Sequence, residues 1–286
     1  MMQAPEGSIV VGVDGSQHAL AAVDWAYAEA RLRNCSVHLV TGVHLDVVDE
    51  TVVAADRDAL VTSAQSVLGD AEARRPADLG QSVTSEVVEQ PAAPALVEAS
   101  KAAHLVAMGT RGYGGFAGML LGSVSQHVTR HAHCDVAVVR PQPADADHIV
   151  AGVDMSDRDG IVLKAAFEEA QRRHVQLKVV HARSTVTSAG PGMGVGPVGY
   201  DVDDRRRGDR SQLANVLRSW ISDYSDVKVT SEVLPGHPVA TLATESARSQ
   251  LLVVGARGGG GFARLLLGSA THALLHHAAC PMLVAR

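Results

Sequence analysis

Glycine and serine residues recur at one fixed spacing in two places along this chain of 286 residues. The two copies are Gly109-Thr110-Arg111-Gly112, nine residues and Gly122-Ser123, and Gly255-Ala256-Arg257-Gly258, nine residues and Gly268-Ser269. Glycines three apart let the backbone turn sharply and approach a ligand, because no side chain intervenes. A Gly-Ser pair that opens an apolar helix offers an N-cap hydroxyl and unpaired N–H groups, which favour an anion. The repetition therefore predicts two phosphate-binding sites in one molecule.

The segments around these glycines predict the elements that must position them. Residues 8–13 form an apolar run that ends at Asp14, and residues 149–153 form a matching run that ends at Asp154. Both runs are typical of buried strands that lead into a helix. In each copy the glycines follow the fourth predicted strand. Because strands alternate with helices, we expect right-handed crossovers and a parallel sheet in each half.

A short linker at residues 141–145, which contains two prolines, separates the two copies. The sequence therefore predicts two domains, 1–143 and 144–286. One segment is not repeated: residues 185–210 are first rich in Gly, Pro and Ser and then densely charged. We expect this segment to be a surface loop, with the next helix at 211–223.

Composition limits the classes of partner. Hydrophobic residues make up 46% and charged residues 20%, which indicates a globular chain. A net charge of −6 disfavours nucleic acid and anionic membranes. The start of the chain lacks the pattern of a signal peptide, and no apolar run reaches the roughly 18 residues of a membrane helix. The three cysteines, Cys35, Cys134 and Cys280, include no CxxC pair. A cytoplasmic protein without a disulfide framework is therefore expected.

Two familiar phosphate motifs do not fit these glycines. A Walker A loop needs a lysine before the helix, and neither loop contains one. A Rossmann fingerprint places its glycines after the first strand rather than the fourth. In a doubly wound sheet the ligand crevice opens where the strand order reverses. If strands one and four are neighbours there, Asp14 lies beside Gly109 and Asp154 beside Gly255. The aspartate would then face a sugar or base while the glycines wrap phosphates.

The pattern Gly-x2-Gly-x9-Gly-Ser after strand four, with Val-Asp closing strand one, resembles the ATP-binding branch of the universal stress protein family. The resemblance covers essentially the whole chain, which is similar to the tandem two-domain proteins of actinobacteria. It implies two doubly wound five-stranded parallel sheets of the adenine nucleotide alpha hydrolase-like type, with strand order 3-2-1-4-5. It also implies ATP at two sites, with Mg²⁺ as an open addition.

The resemblance further implies a role for each residue of the motif. Asp14 and Asp154 would contact the ribose or base, and the glycines with the hydroxyls that follow them would hold the phosphates. Gly42 and Ala182 would flank adenine at the end of strand two, where a bulkier apolar residue is common in the family. The complete set of implied nucleotide-binding residues is Gly12, Val13, Asp14, Gly42, Gly109, Arg111, Gly112, Gly122, Ser123, Val124, Ser125, Gly152, Val153, Asp154, Ala182, Gly255, Arg257, Gly258, Gly268, Ser269, Ala270 and Thr271.

Simpler structural roles stay open for some of these residues. Arg111 and Arg257 could contact a phosphate or remain solvated at the rim of the crevice. Asp14 could cap the helix that follows it. Ser123 and Ser269 are expected to be N-caps whether or not ATP binds, because an anion and a cap use the same helix terminus.

We find no catalytic constellation in the sequence, so no catalytic residue is assigned. The family resemblance implies a nucleotide-dependent regulator of stress adaptation or growth arrest that binds ATP rather than turning it over rapidly. A slow ATPase and a nucleotide-independent interaction module remain alternatives. The fifth strand of each half is apolar and last in its repeat, so its edge should be paired, either between the two halves or in a homodimer. A regulatory protein partner is expected, but its identity is left open. The histidine pairs His127/His131 and His272/His276 favour packing over metal binding, and no metal site is expected.

Overall fold

The computed structural model describes residues 4–43, 50–113, 121–183, 199–259 and 266–286. It divides into two compact units, one formed by Met1–Pro141 with Pro281–Arg286 and the other by Gln142–Cys280. In both units helices alternate with strands that are mostly parallel. The predicted α/β class is therefore confirmed.

The first unit contains five parallel strands in the predicted order 3-2-1-4-5. Its strands are β1 (Ile9–Gly12), β2 (Val37–Gly42), β3 (Val83–Val88), β4 (Leu105–Gly109) and β5 (Asp135–Val139). Its helices are α1 (Gln17–Arg33), α2 (Glu50–Ala73), α3 (Ala92–Ala99) and α4 (Ser123–His131). β1 and β4 are neighbours, with Ile9 opposite Leu105, so the loops that follow them emerge side by side.

The second unit repeats this arrangement. Its strands are β6 (His148–Val153), β7 (Gln176–Arg183), β8 (Val229–Pro235) and β9 (Ser249–Gly255). Its helices are α5 (Asp159–Arg173), α6 (Gly199–Asp223), α7 (Pro238–Ser246) and α8 (Ser269–His277). The strands are parallel in the order β9-β6-β7-β8. β6 and β9 therefore correspond to the neighbouring pair β1 and β4 of the first unit.

The last strand, β10 (Met282–Ala285), belongs to the first unit and runs antiparallel to β5, with Met282 opposite Val138. The terminal Arg286 secures it: its N–H donates to Asp135 Oδ1 at 2.9 Å and its guanidinium to the carbonyl of Thr129. The edge of β5 is thus paired, as its apolar sequence led us to expect. The domain boundary between residues 143 and 144 stays a prediction.

The strands are apolar on both faces because helices cover both sides of the sheet. Ile9, Val10 and Val11 of β1 are fully buried. On α1, Tyr27 is buried and its hydroxyl donates to the carbonyl of Ala71 at 3.1 Å, which ties α1 to α2. Burial raises the pKa of Tyr27 to about 12, so this hydroxyl stays a donor at any physiological pH.

The charged part of the non-repeated segment is helical, so the expectation of a loop was wrong there. α6 begins at Gly199, not near residue 211, and includes residues 201–210. Arginine is a good helix former, and the ion pair between Arg183 and Asp209 fastens this helix to the end of β7. High charge marked an exposed helix here rather than an irregular segment. Residues 184–198 lie outside the described residues.

Candidate functional site

A cavity of about 340 Å³ lies where β1 and β4 end, and we refer to it as the first crevice. This is the place where the strand order of the first unit reverses, the usual position of a ligand in such sheets. Every residue predicted for the first site lines it except Gly42. The other lining residues are Ala19, Ala92, Leu96, Met108 and Tyr113.

Asp14 connects the loop after β1 with the loop after β4. Its Oδ1 accepts the N–H of Ser16 at 3.0 Å and its Oδ2 accepts the N–H of Tyr113 at 3.0 Å. A Cβ on Gly112 would collide with Oδ2, so this close approach requires glycine. The residue that caps α1 is Ser16, whose Oγ accepts the N–H of Ala19 at 3.2 Å. The alternative role of Asp14 as the cap of α1 is therefore wrong.

The other residues of the repeated glycine pattern also have structural roles. A Cβ on Gly109 would lie 2.5 Å from the carbonyl group of His18, so the end of β4 packs directly against the start of α1. The N–H of Gly122 donates to the carbonyl of Thr110 at 2.7 Å and closes the glycine loop. The Ser125 hydroxyl donates to the carbonyl of Gly109 at 2.8 Å. The loop is thus held at both ends against the first turn of α4.

The N-caps of α4 and α8 are glycines, so the prediction that Ser123 and Ser269 are caps was wrong. Gly122 (φ −77°, ψ 156°) and Gly268 (φ −65°, ψ 147°) hold the cap position, and neither helix has a side-chain cap hydrogen bond. Each serine is instead the first helical residue. The N–H groups of a first helical turn lack intrahelical partners. Ser123 and Val124 line the first crevice, so this helical turn lies at its wall.

Two side chains of the glycine loop lie at the rim of the first crevice. Arg111 lines it and is partly exposed, while its carbonyl accepts the Ser16 hydroxyl at 3.3 Å. Tyr113 is 80% exposed. The Arg111 backbone is therefore fixed, whereas its guanidinium can meet either a ligand or water.

Gly42 lies at the end of β2 and contributes to the first crevice indirectly. A Cβ there would be 2.7 Å from both the nitrogen and the Cα of Ala92. Ala92 begins α3 and lines the crevice. The backbone of α3 occupies the space that a bulkier residue at position 42 would need. Gly42 therefore positions the crevice wall.

The second unit builds the same connection around Asp154, and we call the region at the ends of β6 and β9 the second crevice. Asp154 Oδ1 accepts the N–H of Ser156 at 3.1 Å, and Oδ2 accepts the N–H of Gly259 at 2.6 Å. A Cβ on Gly258 would collide with Oδ2. The two repeats thus use an aspartate and a glycine in the same way.

The remaining residues predicted for the second site follow the first site closely. The Thr271 hydroxyl donates to the carbonyl of Gly255 at 2.7 Å, and the N–H of Gly268 donates to the carbonyl of Ala256 at 2.8 Å. Gly152 and Val153 end β6, Ala182 lies near the end of β7, Arg257 is exposed in the glycine loop, and Ser269 and Ala270 begin α8.

One buried acidic residue of the second repeat has no acidic counterpart in the first. Asp159 stands where the first repeat has Ala19, and it is only 7% exposed. Its Oδ1 accepts the N–H of Asp154 at 3.1 Å. Burial, with a contribution from the neighbouring Asp154 carboxylate, raises the pKa of Asp159 to about 6. Desolvation also acts to raise the pKa of Asp154, but hydrogen bonds from Ser156 and Gly259 hold that pKa below its ordinary value.

Cys134 and the pair His127 and His131 lie in surroundings that the structure describes. Burial raises the pKa of Cys134 to about 12, so its thiol stays protonated and is a poor nucleophile. The His127 and His131 rings pack with centroids 4.4 Å apart. Over the described ranges, no group of three or more His, Cys, Asp or Glu residues could hold a metal ion. Within the same ranges, no helix has the length and apolar character needed to cross a membrane.

Sequence reasoning missed the apolar walls of the first crevice. Leu96 packs against β1, because a Cβ on Gly12 would lie 2.8 Å from its Cδ1. Leu96 comes from α3 and Ala19 from α1. These residues belong to the helices beside the loops, and a motif search directed at glycines and polar groups passes over them. The signal available was the apolar periodicity of the two helices.

The sequence profile of the universal stress protein family matches residues 7–140 and again residues 146–286. The chain belongs to the universal stress protein family. A universal stress protein of Mycobacterium bovis is 36% identical over 294 residues, which cover 97% of this chain and 96% of the relative. One of Mycobacterium tuberculosis is 33% identical over 305 residues, which cover 97% of this chain and 94% of the relative.

A solved structure shares the fold of this universal stress protein over nearly its whole length. The crystal structure of a universal stress protein from Archaeoglobus fulgidus matches with a TM-score of 0.69. The match covers 99% of this chain and 97% of that one, at 17% sequence identity. At this identity the likeness concerns the architecture alone.

Proposed function

We propose that this universal stress protein binds ATP in both crevices and acts as a nucleotide-dependent regulator of stress adaptation or growth arrest. It holds ATP rather than turning it over rapidly, and it works in the cytoplasm, where ATP is made and used. The observation that carries the proposal is the first crevice: a glycine loop, a helix N-terminus and an aspartate line one cavity.

The loop side of the first crevice suits phosphates. Ser123 and Val124 place the N-terminal turn of α4 at the cavity wall. This end of a helix carries partial positive charge and unpaired N–H groups, which stabilise an anion. Gly109 and Gly112 keep the adjoining backbone free of side chains, and Arg111 supplies a cation at the rim. The protein carries a net charge of −6, so local geometry has to supply the attraction.

The opposite side of the first crevice suits a nucleoside. Val13, Ala92 and Leu96 give it apolar surface, and an apolar wall with a few polar groups is typical of ligand sites. Asp14 lines the same crevice and accepts an N–H from the glycine loop, so its carboxylate is available to a ribose next to the phosphates. A volume of about 340 Å³ falls at the lower end of the range for small-molecule sites.

The hydrogen bonds of the Asp14 carboxylate favour binding without rapid turnover. Both oxygens of Asp14 already accept backbone N–H groups, so this group is poorly placed to activate a water molecule. Neither glycine loop contains a lysine, so stabilisation of charge on a transferred phosphoryl group would fall to the arginines of the loops. A slow ATPase remains the second candidate.

Glycine substitutions with a matched control test the proposal. Gly109→Ala and Gly255→Ala add a methyl group to each loop, at 2.5 Å from the His18 carbonyl and 3.0 Å from the Arg257 carbonyl, respectively. Gly80→Ala is the control, because a Cβ there has nothing within 4 Å. We expect calorimetric titration with ATP to show loss of the corresponding site in each loop variant and no change in the control. Unaltered ATP affinity in both loop variants would show that the loops do not hold phosphates.

The alternatives give different results in the same preparations. ATP extracted from the purified protein supports a binding role, whereas empty protein that takes up no ATP favours a nucleotide-independent interaction module. Phosphate release that continues through many turnovers and disappears in Asp14→Ala and Asp154→Ala would favour the slow ATPase. Light scattering during the titration also tests whether the protein forms a homodimer, the alternative that the sequence left open.

A further inference from the structure

The two repeats differ at a buried position beside the aspartate that closes their first strand. Ala19 and Asp159 each come five residues after the aspartate that closes the first strand of their repeat. Ala19 is buried in α1 and lines the first crevice. Asp159 is the first residue of α5 and is equally buried, at 7% exposure. A methyl group in one repeat is therefore replaced by a carboxyl group in the other.

Asp159 interacts with the same backbone that shapes the crevice. Its Oδ1 accepts the N–H of Asp154 at 3.1 Å. The Asp154 side chain, in turn, accepts the N–H groups of Ser156 and Gly259. In the first repeat, Ala19 offers no acceptor to the N–H of Asp14. The second crevice therefore contains two neighbouring carboxyl groups, and one backbone donor in it is already engaged.

A fixed negative charge acts differently on different ligands. Coulomb repulsion between a buried carboxylate and a polyphosphate is weakly screened, because little water lies between them. An uncharged nucleoside has no net charge for the carboxylate to repel. Selectivity can thus arise from a repulsive group as readily as from an attractive one.

Building on the proposed function, we propose that Asp159 makes the second crevice select against the triphosphate of ATP. The first crevice is then the tighter ATP site, and the second binds ATP more weakly than it binds adenine nucleosides of little or no phosphate charge. Asp159 is the residue that determines this specificity, and the equivalent Ala19 leaves the first crevice open to ATP.

Reciprocal substitutions test this inference. Calorimetric titrations with ATP and, separately, with adenosine are made on wild type, Asp159→Ala, Asp159→Asn and Ala19→Asp. Wild type should show one tight and one weaker ATP site. In Asp159→Ala the weaker site should become tight, with its ATP affinity raised at least about tenfold by removal of the charge. Asp159→Asn should show the same gain, because the amide keeps the shape and an acceptor oxygen. Adenosine affinity should change less than about threefold in both variants.

Ala19→Asp should lose tight ATP binding while its thermal unfolding still shows a folded protein. If that variant does not fold, the two Asp159 variants test the inference instead, because misfolding cannot increase the affinity for ATP. Two equal ATP sites in wild type would overturn this inference and leave the proposed function intact. Equal gains for ATP and adenosine, or a gain in Asp159→Ala but not in Asp159→Asn, would show that shape rather than charge decides. Absence of ATP binding in wild type and in both Asp159 variants would overturn the inference and the proposed function together.

Discussion

Replacement of Asp159 by asparagine should stabilise the second unit at neutral pH. Burial raises the pKa of this carboxyl from 3.8 to about 6, so the folded state holds the proton more tightly than the unfolded state. Stability is therefore highest below pH 3.8 and falls as pH rises toward 6. This shift of the pKa corresponds to a loss of about 3 kcal/mol in the free energy of unfolding as the pH rises. Because asparagine cannot ionise, we expect Asp159→Asn to exceed wild type by up to about 3 kcal/mol at pH 7.5 and to match it near pH 4.

Urea unfolding at a series of pH values measures this difference. Trp220 stacks on Phe167 in the second unit, with ring centroids 5.8 Å apart. In a Trp25→Phe background its fluorescence reports on that unit. The exposed Asp157 provides the control, since Asp157→Asn removes the same charge from a solvated neighbouring position. A constant difference between Asp159→Asn and wild type from pH 4 to 8, or none at pH 7.5, would refute the reasoning from burial.

Three further outcomes follow from the first unit. Gly112→Ala should lower ATP affinity at the first site at least about tenfold, because its methyl group would displace the Asp14 carboxylate; calorimetry that finds wild-type affinity would contradict the role given to that contact. Ser125→Ala should cost about 1–2 kcal/mol in urea unfolding, because the buried hydroxyl bond to the Gly109 carbonyl is lost; an unchanged midpoint would argue against it. Native protein should resist iodoacetamide at Cys134 at pH 8, because the pKa of that thiol is raised to about 12; rapid labelling seen by mass spectrometry would show that the thiol is accessible and ionised.

The local sequence predicted the loops of the site but not every contact within them. The spacing alone was enough to locate the glycines of the loops. Only glycine lacks a Cβ, so a position without room for a Cβ can be recognised in the sequence. The contact between Asp14 and Tyr113 joins residues 99 positions apart, and only the adjacency of β1 and β4 makes it possible. The general position of this contact followed from the expected strand order, whereas its hydrogen-bond partners did not.

Three other features could not be predicted from residue type alone. Ser123 seemed the natural cap of α4, yet the preceding Gly122 adopts the extended cap conformation and moves the serine into the helix. Residues 201–210 combined charge with low hydrophobicity, which is shared by loops and by exposed helices. The replacement of Ala19 by Asp159 was visible in the sequence, but its significance depended on burial and on the Asp154 N–H.

The pairing of β10 with β5 constrains how the newly made chain can be completed. β10 emerges from the ribosome about 140 residues after β5, which at ordinary translation speeds is a delay of roughly 10–30 seconds. During that interval the nascent amino-terminal sheet has an uncovered apolar edge, a template for pairing with other chains. Removal of a few residues from the carboxyl terminus would leave this edge uncovered permanently. The amino-terminal sheet, which is synthesised first, would then remain open to pairing with other chains.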